Sequence, residues 1–164
     1  MVKPKMIILV GNIGSGKSTY CKHLVKKGYK ILSRDALRYM IGNGKYTFNL
    51  DIEPALRDAF NHLVERFCKH GVKIVIDETN VSVESRMDYL ASGWCYDYSV
   101  EAHLLPPVCK EISVDRRMAN PHGQNDRAVW ESVYEKFDSI YEEPTLEEGF
   151  DAILEVGDDL NESE

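Results

Sequence analysis

The stretch that most constrains the fold lies near the N-terminus, where an apolar run passes through glycines into a predicted helix. Residues 7–10 read Ile-Ile-Leu-Val, which is typical of a buried strand, and the residues after the glycines favour a helix. Between them, the segment Gly11–Ser18 satisfies the spacing G-x-x-x-x-G-K-[ST]. The sequence therefore predicts a phosphate-binding loop between the first strand and the first helix.

A loop of this kind binds phosphate through its backbone, because small residues let successive N–H groups close around the phosphate oxygens. The helix that follows adds a dipole that favours negative charge. Lys17 can then reach the β- and γ-phosphates, and the Ser18 hydroxyl can bind Mg²⁺. The alternative is an ordinary glycine-rich turn, which does not require the full spacing. We expect a nucleoside triphosphate to contact Gly11, Asn12, Ile13, Gly14, Ser15, Gly16, Lys17, Ser18 and Thr19.

The rest of the chain predicts a single α/β domain. Its 164 residues suffice for a sheet that is covered on both faces, and strands alternate with helices as in doubly wound parallel sheets. The predicted strands are 5–10, 29–33, 72–77, 98–105 and 152–156. The predicted helices are 17–27, 36–41, 83–92, 108–118, 127–142 and a long helix that Asp51 caps and Gly71 ends.

Charge is distributed unevenly along the chain. Residues 131–164 contain 13 acidic side chains and one basic side chain, so their net charge is −12, whereas the net charge of the whole chain is −7. The first 130 residues carry +5. Acidic ends of this kind are usually solvated and imply no partner, and the sequence does not decide whether this one covers the cleft. The part that carries the loop motif is mildly basic, which leaves a nucleic-acid partner open.

Several classes of protein are disfavoured by the composition. No apolar run approaches the roughly 20 residues that span a bilayer, and the N-terminus leads directly into a core strand instead of a signal peptide. The four cysteines are scattered, which favours reduced thiols in a cytoplasmic protein. His122 has no companion at the spacing of metal ligands, so no structural metal is expected. The sequence indicates no oligomeric state and no membrane partner.

Polar residues follow the predicted strands at the edge where open α/β sheets bind ligands. Asp35, after the second strand, is either a general base for an incoming hydroxyl or the N-cap of a helix. Arg38 lies one helical turn later and either faces the same cleft or lies on the surface. Asp77 ends the third strand, a position typical of an acid that holds Mg²⁺ directly or through water.

The segment 108–130 is predicted to be a helical lid. Arg116 and Arg117 precede a polar stretch rich in helix breakers, and a lid guanidinium there can meet a transferring phosphate. One of the two arginines is expected to face solvent. The aromatic residues Tyr39, Tyr46 and Phe48 either stack on a base of the acceptor or pack their loop against the domain, and packing is the commoner role.

Three segments together carry a resemblance to a known family. Gly11–Thr19, Ser33–Arg38 and Asp77–Asn80 resemble, in order and spacing, the P-loop polynucleotide 5′-hydroxyl kinases. The similarity runs from about residue 5 to residue 141, which predicts a P-loop NTPase or kinase domain over residues 1–157. Residues 158–164 are then an acidic, frayed tail. The lid departs from the family pattern, because Asn120 stands where a second arginine is usual and Trp130 stands where proline is common.

The resemblance implies a role for each matching residue. Lys17 and Ser18 serve the phosphates and Mg²⁺, with ATP as the nucleotide, and Asp35 is the general base. Arg38, with Thr79, holds the phosphate next to the acceptor hydroxyl. We also assign Asn80 and Val129 to the acceptor site, Arg116 and Arg117 to catalysis, and Asp77 with Ser18 to the metal.

The function expected from these residues is ATP- and Mg²⁺-dependent transfer of the γ-phosphate to a 5′-hydroxyl end of DNA or RNA. A related kinase could instead act on a nucleoside, a small metabolite, tRNA or a hydroxymethylated base in DNA. A nucleotide-binding switch that transfers no phosphate is the third possibility, and Asp35 distinguishes it from the kinases.

Overall fold

A sheet of five parallel strands forms the centre of the computed structural model, which describes residues 1–157. The strands are β1 Lys5–Val10, β2 Lys30–Leu32, β3 Ile74–Ile76, β4 Ser99–Leu104 and β5 Ala152–Glu155, in the order β2-β3-β1-β4-β5. Every pairing between neighbours is parallel. The predicted α/β architecture is confirmed, and the predicted acidic tail at 158–164 lies outside the described residues.

Among the described residues, six α-helices and one short 3₁₀ helix accompany the strands. They are α1 Lys17–Lys26, α2 Arg34–Ile41, α3 Glu53–Lys69, α4 Val83–Cys95, α5 Lys110–Ala119, α6 Arg127–Ser139 and the 3₁₀ helix Leu146–Glu148. Across residues 1–157, no helix combines the length and the apolar character that crossing a membrane requires.

The side chains of β1 alternate between two separate cores. Met6 and Ile8 lie in a core with Phe60 of α3, whereas Ile7 lies in the opposite core with Leu24 of α1. All of these side chains are almost fully buried. Successive side chains of a strand point to opposite faces, so helices must cover both faces of this sheet. The predicted doubly wound arrangement is therefore confirmed.

Three helices begin at residues other than those predicted, and one of them, α5, begins at Lys110 instead of residue 108. The Ser33 hydroxyl accepts a hydrogen bond from the backbone N–H of Ala36 at 3.4 Å, so α2 begins at Arg34 and Ser33 is its N-cap. Asp35 therefore lies in the first turn and does not cap the helix. The prediction that Asp51 caps the long helix is wrong, because α3 begins at Glu53 without a side-chain cap.

A fully buried arginine joins the loop after β3 to the C-terminal segment. Arg86 of α4 donates from Nε to Glu148 Oε1 at 2.8 Å and from Nη2 to Glu148 Oε2 at 3.1 Å. Its Nη1 donates to the backbone oxygen of Asn80 at 2.8 Å. Removing one partner from a buried ion pair leaves an uncompensated charge, which costs more than the pair itself contributes. The position of Asn80 therefore depends on this arginine.

We expect Arg86→Met to lower the free energy of unfolding by about 3–5 kcal/mol, because it leaves the buried Glu148 carboxylate unpaired. Urea denaturation measures the change. Arg127→Met, which breaks the exposed ion pair with Asp115, is the control and should change stability little. A double variant, Arg86→Met with Glu148→Met, should recover most of the loss. Equal effects of Arg86→Met and the control would contradict this assignment.

A second buried network crosses the sheet beneath α1. The Tyr20 hydroxyl lies 2.7 Å from His103 Nδ1, and His103 Nε2 lies 3.0 Å from Glu101 Oε2. Glu101 also accepts a hydrogen bond from Lys5 at 2.6 Å. Burial lowers the pKa of His103 below its ordinary value of 6.5, although the Glu101 carboxylate opposes the shift. His103 is therefore neutral in the folded protein at neutral pH.

This burial predicts a pH dependence of stability. An unfolded histidine takes up a proton near pH 6.5, whereas folded His103 does so only at lower pH. The contribution of neutral His103 to the free energy of unfolding is therefore complete above about pH 6.5, and it is lost as the pH falls below that value. Urea denaturation between about pH 7 and 5.5 gives the free energy of unfolding as a function of pH. The slope of this free energy against pH should be smaller in His103→Gln than in the wild type. The exposed variant His62→Gln should keep the wild-type slope, and an unchanged slope in His103→Gln would refute the assignment.

Candidate active site

A cavity of about 1030 Å³ opens at the carboxyl ends of β1, β2 and β3. Parallel strands place the residues that follow them at one edge of the sheet, which is where such sheets bind ligands. Lys17, Asp35, Asp77 and Arg117 all line this cavity, although they come from four different segments of the chain. The fold thus brings together the phosphate loop, the first turn of α2, the end of β3 and the lid.

Glycine is required in the phosphate loop at Gly14. Its φ of 65° lies in the left-handed region, and a Cβ atom there would lie 2.3 Å from the backbone oxygen of Ser113. Gly16 also has a positive φ, of 99°, at the start of α1. The backbone N–H of Gly11 donates to the oxygen of Thr79 at 3.0 Å, which attaches the loop to the segment after β3. The loop is therefore fixed in shape at both ends.

Lys17 lies within this loop. Its Nζ donates to the backbone oxygens of Gly11 at 2.6 Å and Asn12 at 2.7 Å. Burial of the ammonium group lowers its pKa from 10.5 to about 8, although the negative charge of Asp77 opposes the shift. The loop geometry and a cation at its centre fit the phosphates of a nucleotide.

The oxygen donors expected for Mg²⁺ lie at the same end of the cavity. Asp77 and Ser18 both line it, and Ser18 is exposed. Burial raises the pKa of Asp77 above its ordinary value, while the positive charge of Lys17 opposes the shift. Within residues 1–157, no group of three or more His, Cys, Asp or Glu side chains forms a metal site. One carboxylate and one hydroxyl suit Mg²⁺, which takes its remaining ligands from phosphates and water.

Asp35 lines the same cavity, with only one of its oxygens in short hydrogen bonds. Its Oδ1 accepts hydrogen bonds from Arg38 Nη1 at 2.7 Å and from the Tyr46 hydroxyl at 2.9 Å. The nearest side-chain partner of Oδ2 is His122 Nε2 at 3.8 Å. Burial opposes ionisation, but the hydrogen bonds from Tyr46 and Arg38 outweigh it and hold the pKa of Asp35 below its ordinary value. Asp35 is therefore ionised and has an oxygen available to accept a proton.

Arg38 is held by two carboxylates. Besides Asp35, it contacts Glu53 through Nε at 2.9 Å and through Nη2 at 2.6 Å. The rings of Tyr46 and Phe48 lie 5.9 Å and 5.5 Å from its guanidinium carbon. Thr79, its expected partner in acceptor binding, lines the same cavity. An acceptor phosphate at Arg38 would therefore compete with Glu53, a contact that the sequence did not indicate.

A further ion pair fixes α2 to the end of β3. Glu78 accepts a hydrogen bond from the backbone N–H of Arg34 at 2.6 Å and lies 3.3 Å from Arg34 Nη2. Burial raises the pKa of Glu78, and the charge of Arg34 opposes that shift. This pair orients the first turn of α2, which carries Asp35.

The predicted lid, residues 108–130, contains α5 and the start of α6, and these two helices pack against each other. Arg116 Nη1 donates to the backbone oxygen of Gly14 at 3.0 Å, and Arg117 Nη1 lies 2.6 Å from His122 Nε2. The guanidinium of Arg117 also lies 5.1 Å from the ring of Trp130. Its Nε is buried and has no hydrogen-bond partner in the described part of the chain. Val129 lines the cavity together with both arginines, of which Arg116 is exposed.

Three residues predicted for the site, Gly11, Asn12 and Asn80, do not line this cavity. The prediction that Asn80 contacts the acceptor is wrong, because its buried Nδ2 donates to the backbone oxygen of Leu9 at 2.8 Å. Its φ of 48° turns the chain so that the side chain enters the domain. Asn12 lines a second cavity of about 440 Å³, and its Nδ2 donates to the oxygen of Tyr134 at 3.0 Å. Within the phosphate loop, the Oδ1 of Asn12 accepts a hydrogen bond from the backbone N–H of Ile13 at 2.7 Å, and its backbone oxygen accepts one from Lys17.

His122 is the residue of this site that sequence reasoning missed. It lies in the loop between α5 and α6 and contacts Tyr39, Tyr46 and Arg117. Its sequence neighbours, Asn120-Pro121 and Gly123, indicate only a turn. No local pattern predicts the contacts with Tyr39 and Tyr46, because these residues are far from His122 in the chain.

Comparison with known proteins agrees with the fold and the motifs. Transcription factor bHLH140 of Arabidopsis thaliana is 27% identical over 155 residues, which are 93% of this chain and 16% of that protein. The bifunctional polynucleotide phosphatase/kinase of Schizosaccharomyces pombe is 26% identical over 154 residues, or 93% of this chain and 33% of that protein. The chain thus spans a third or less of the length of these curated relatives.

A solved structure resembles the whole core of the domain. A chain in the structure of the Pnkp1/Rnl/Hen1 RNA repair complex matches with a TM-score of 0.68 and 21% identity over 85% of this chain and 46% of that chain. The predicted resemblance to polynucleotide kinases and the P-loop NTPase fold are both confirmed. Residues 6–144 match the family model described as "AAA domain". This chain therefore belongs to that family of AAA domains.

Proposed function

We propose that this protein transfers the γ-phosphate of ATP, with Mg²⁺, to the 5′-hydroxyl end of DNA or RNA. One observation carries the proposal: a single cavity is lined both by residues of the phosphate loop and by Asp35, which has an oxygen free to accept a proton. The similarity to the Schizosaccharomyces pombe polynucleotide phosphatase/kinase supports the choice of acceptor. The cytoplasmic location stays a prediction.

The proposed phosphate transfer needs no reactant besides ATP and the acceptor hydroxyl. The oxygen of the acceptor hydroxyl attacks the γ-phosphorus, the bond from phosphorus to the bridging oxygen breaks, and ADP leaves. The hydroxyl proton passes to Oδ2 of Asp35, whose Oδ1 stays bound to Arg38 and Tyr46. Holding one carboxylate oxygen fixes the direction of the other, so the base is oriented before the acceptor arrives.

Several cations would neutralise the charge of the transferring group. Lys17 would contact the phosphates once it exchanges its contacts to Gly11 and Asn12 for phosphate oxygens. The buried Nε of Arg117 lacks a partner among residues 1–157, and a phosphate oxygen would satisfy it. Ser18 and Asp77 would hold Mg²⁺, which would supply positive charge beside the phosphates.

A second candidate function is transfer to a smaller hydroxyl acceptor. The observation that favours it is the saturation of Arg38, whose guanidinium already binds Asp35 and Glu53. A phosphate next to the acceptor hydroxyl would have to displace Glu53, whereas a neutral acceptor would not. The two candidates differ in their response to salt, since binding through phosphates weakens as salt rises.

We expect the wild type to transfer label from γ-labelled ATP to 5′-hydroxyl DNA or RNA oligonucleotides, and Asp35→Asn to do so roughly 10²–10⁴ times more slowly. The amide is similar in size but cannot accept the proton. Lys17→Ala should also abolish transfer, because it removes the cation of the phosphate loop. Asp58→Asn, on the exposed side of α3, is the matched control and should retain wild-type activity.

The outcomes separate the candidates. Transfer by Asp35→Asn at the wild-type rate would refute Asp35 as the base. Transfer to a nucleoside at a rate insensitive to salt, with none to oligonucleotides, would favour the smaller acceptor. ATP binding without transfer to any hydroxyl would favour a nucleotide-binding switch.

A further inference from the structure

The ring of His122 is held in place by aromatic residues beside the base. It stacks on Tyr46 with ring centroids 4.6 Å apart and an interplanar angle of 17°. Tyr39 and Trp130 meet it edge-on at 5.5 Å and 6.5 Å. The backbone φ of His122 is 50°, a left-handed conformation that lets the loop turn back and insert the ring. A strained backbone held by three aromatic contacts indicates a fixed position and not a loosely placed loop.

The hydrogen bonds of His122 determine its tautomer. Arginine only donates, so Nε2, which lies 2.6 Å from Arg117 Nη1, must be the unprotonated acceptor. The ring proton is then on Nδ1 and is donated to the Tyr39 hydroxyl at 2.6 Å. His122 is therefore a neutral ring whose free lone pair holds the lid arginine.

The same nitrogen lies between Arg117 and the base. His122 Nε2 is 3.8 Å from Asp35 Oδ2, the oxygen that the proposed transfer uses. A proton on Nε2 would remove the hydrogen bond from Arg117 and place two cations in contact. The new N–H would face Asp35 and could bind it, which would occupy the base.

These observations lead beyond the roles assigned above. We propose that His122 is a positioning residue, and the inference rests on the proposed function of Asp35 and Arg117. In its neutral form the ring holds Arg117 over the cavity and leaves Asp35 Oδ2 open to the acceptor. In its protonated form it releases Arg117 and pairs with Asp35, so transfer stops.

The charged groups around the ring favour the neutral form. Arg117 from α5 and Arg38 from α2 oppose protonation of His122, whereas Asp35 from α2 favours it. The other side chains that face the ring are Tyr39 from α2, Tyr46 from the loop before α3 and Trp130 from α6. Burial and the charge of Arg117 together lower the pKa of His122 below its ordinary value of 6.5.

Without the His122 ring, the guanidinium of Arg117 would be held less firmly. Its remaining contacts are the Trp130 ring at 5.1 Å and the backbone oxygen of Asn120 at 3.5 Å, which is at the limit of a hydrogen bond. The guanidinium would then sample other rotamers. The contact from His122 is thus the one that fixes its direction.

The first test is independent of any activity. NMR of the ring nitrogens in the full chain at pH 7.5 should show the Nδ1–H tautomer for His122, with the signal assigned by its absence in His122→Gln. Arg117→Gln should raise the pKa of the ring, because it removes the facing cation. An Nε2–H tautomer, a charged ring at pH 7.5 or an unchanged pKa in Arg117→Gln would overturn the inference, whether or not the protein is a kinase.

The second test separates the hydrogen bond from the stacking. His122→Phe keeps a ring for Tyr46 but removes both nitrogens, and its kcat should fall about tenfold to a hundredfold, with little change in KM for ATP. His122→Gln keeps a hydrogen-bond acceptor for Arg117 and cannot be protonated, so it should retain most of kcat. It should also lose the part of the fall in kcat at acidic pH (the acid limb of the pH profile) that protonation of His122 causes. His62→Gln, an exposed variant on α3, is the control.

The results of the second test are read against the wild type. If the wild type transfers phosphate and His122→Phe has the same kcat and the same pH profile, the positioning role is wrong. Equal losses of kcat in His122→Phe and His122→Gln, with unchanged acid limbs, would also overturn it. If the wild type transfers no phosphate, the proposed function fails, and the NMR measurement alone decides the contact between His122 and Arg117.

Discussion

The burial of β1 between two helical layers is the constraint on which the rest of the structure depends. Because Met6–Val10 are almost wholly removed from water, the direction and register of this strand are fixed. Its carboxyl end then delivers the phosphate loop to the middle of the sheet edge. The hydrogen bond from Gly11 to Thr79 ties the segment after β3 to the same point. Donor and acceptor groups converge because these neighbouring strands end together.

Ion pairs fix the acceptor side of the cavity. Arg34 binds Glu78 across the gap from α2 to β3, and Arg38 binds both Asp35 and Glu53. Buried guanidinium groups require such partners, because an unpaired charge away from water is costly. A carboxylate that is bound through one oxygen keeps the other for chemistry. The same balance of charge leaves Arg38 with little excess attraction for an acceptor phosphate.

Some of the site was predictable from the sequence because local geometry defines it. The spacing of the phosphate loop reflects backbone requirements within a few residues, and Asp35 and Asp77 follow strands whose apolar runs are visible. His122 and Asn80 were not predictable in the same way. His122 meets Tyr39 across 83 residues, and the direction of the Asn80 side chain depends on a left-handed backbone. Long-range contacts of single side chains leave no periodic signal in one sequence.

The two arginines of α5 contact different segments that line the cavity. Successive residues of an α-helix point about 100° apart, so Arg116 can reach Gly14 of the phosphate loop while Arg117 reaches His122 in the loop between α5 and α6. Because one helix carries both contacts, a displacement of α5 would change both of them. The position of α5 therefore couples the phosphate loop to the loop whose His122 lies beside Asp35.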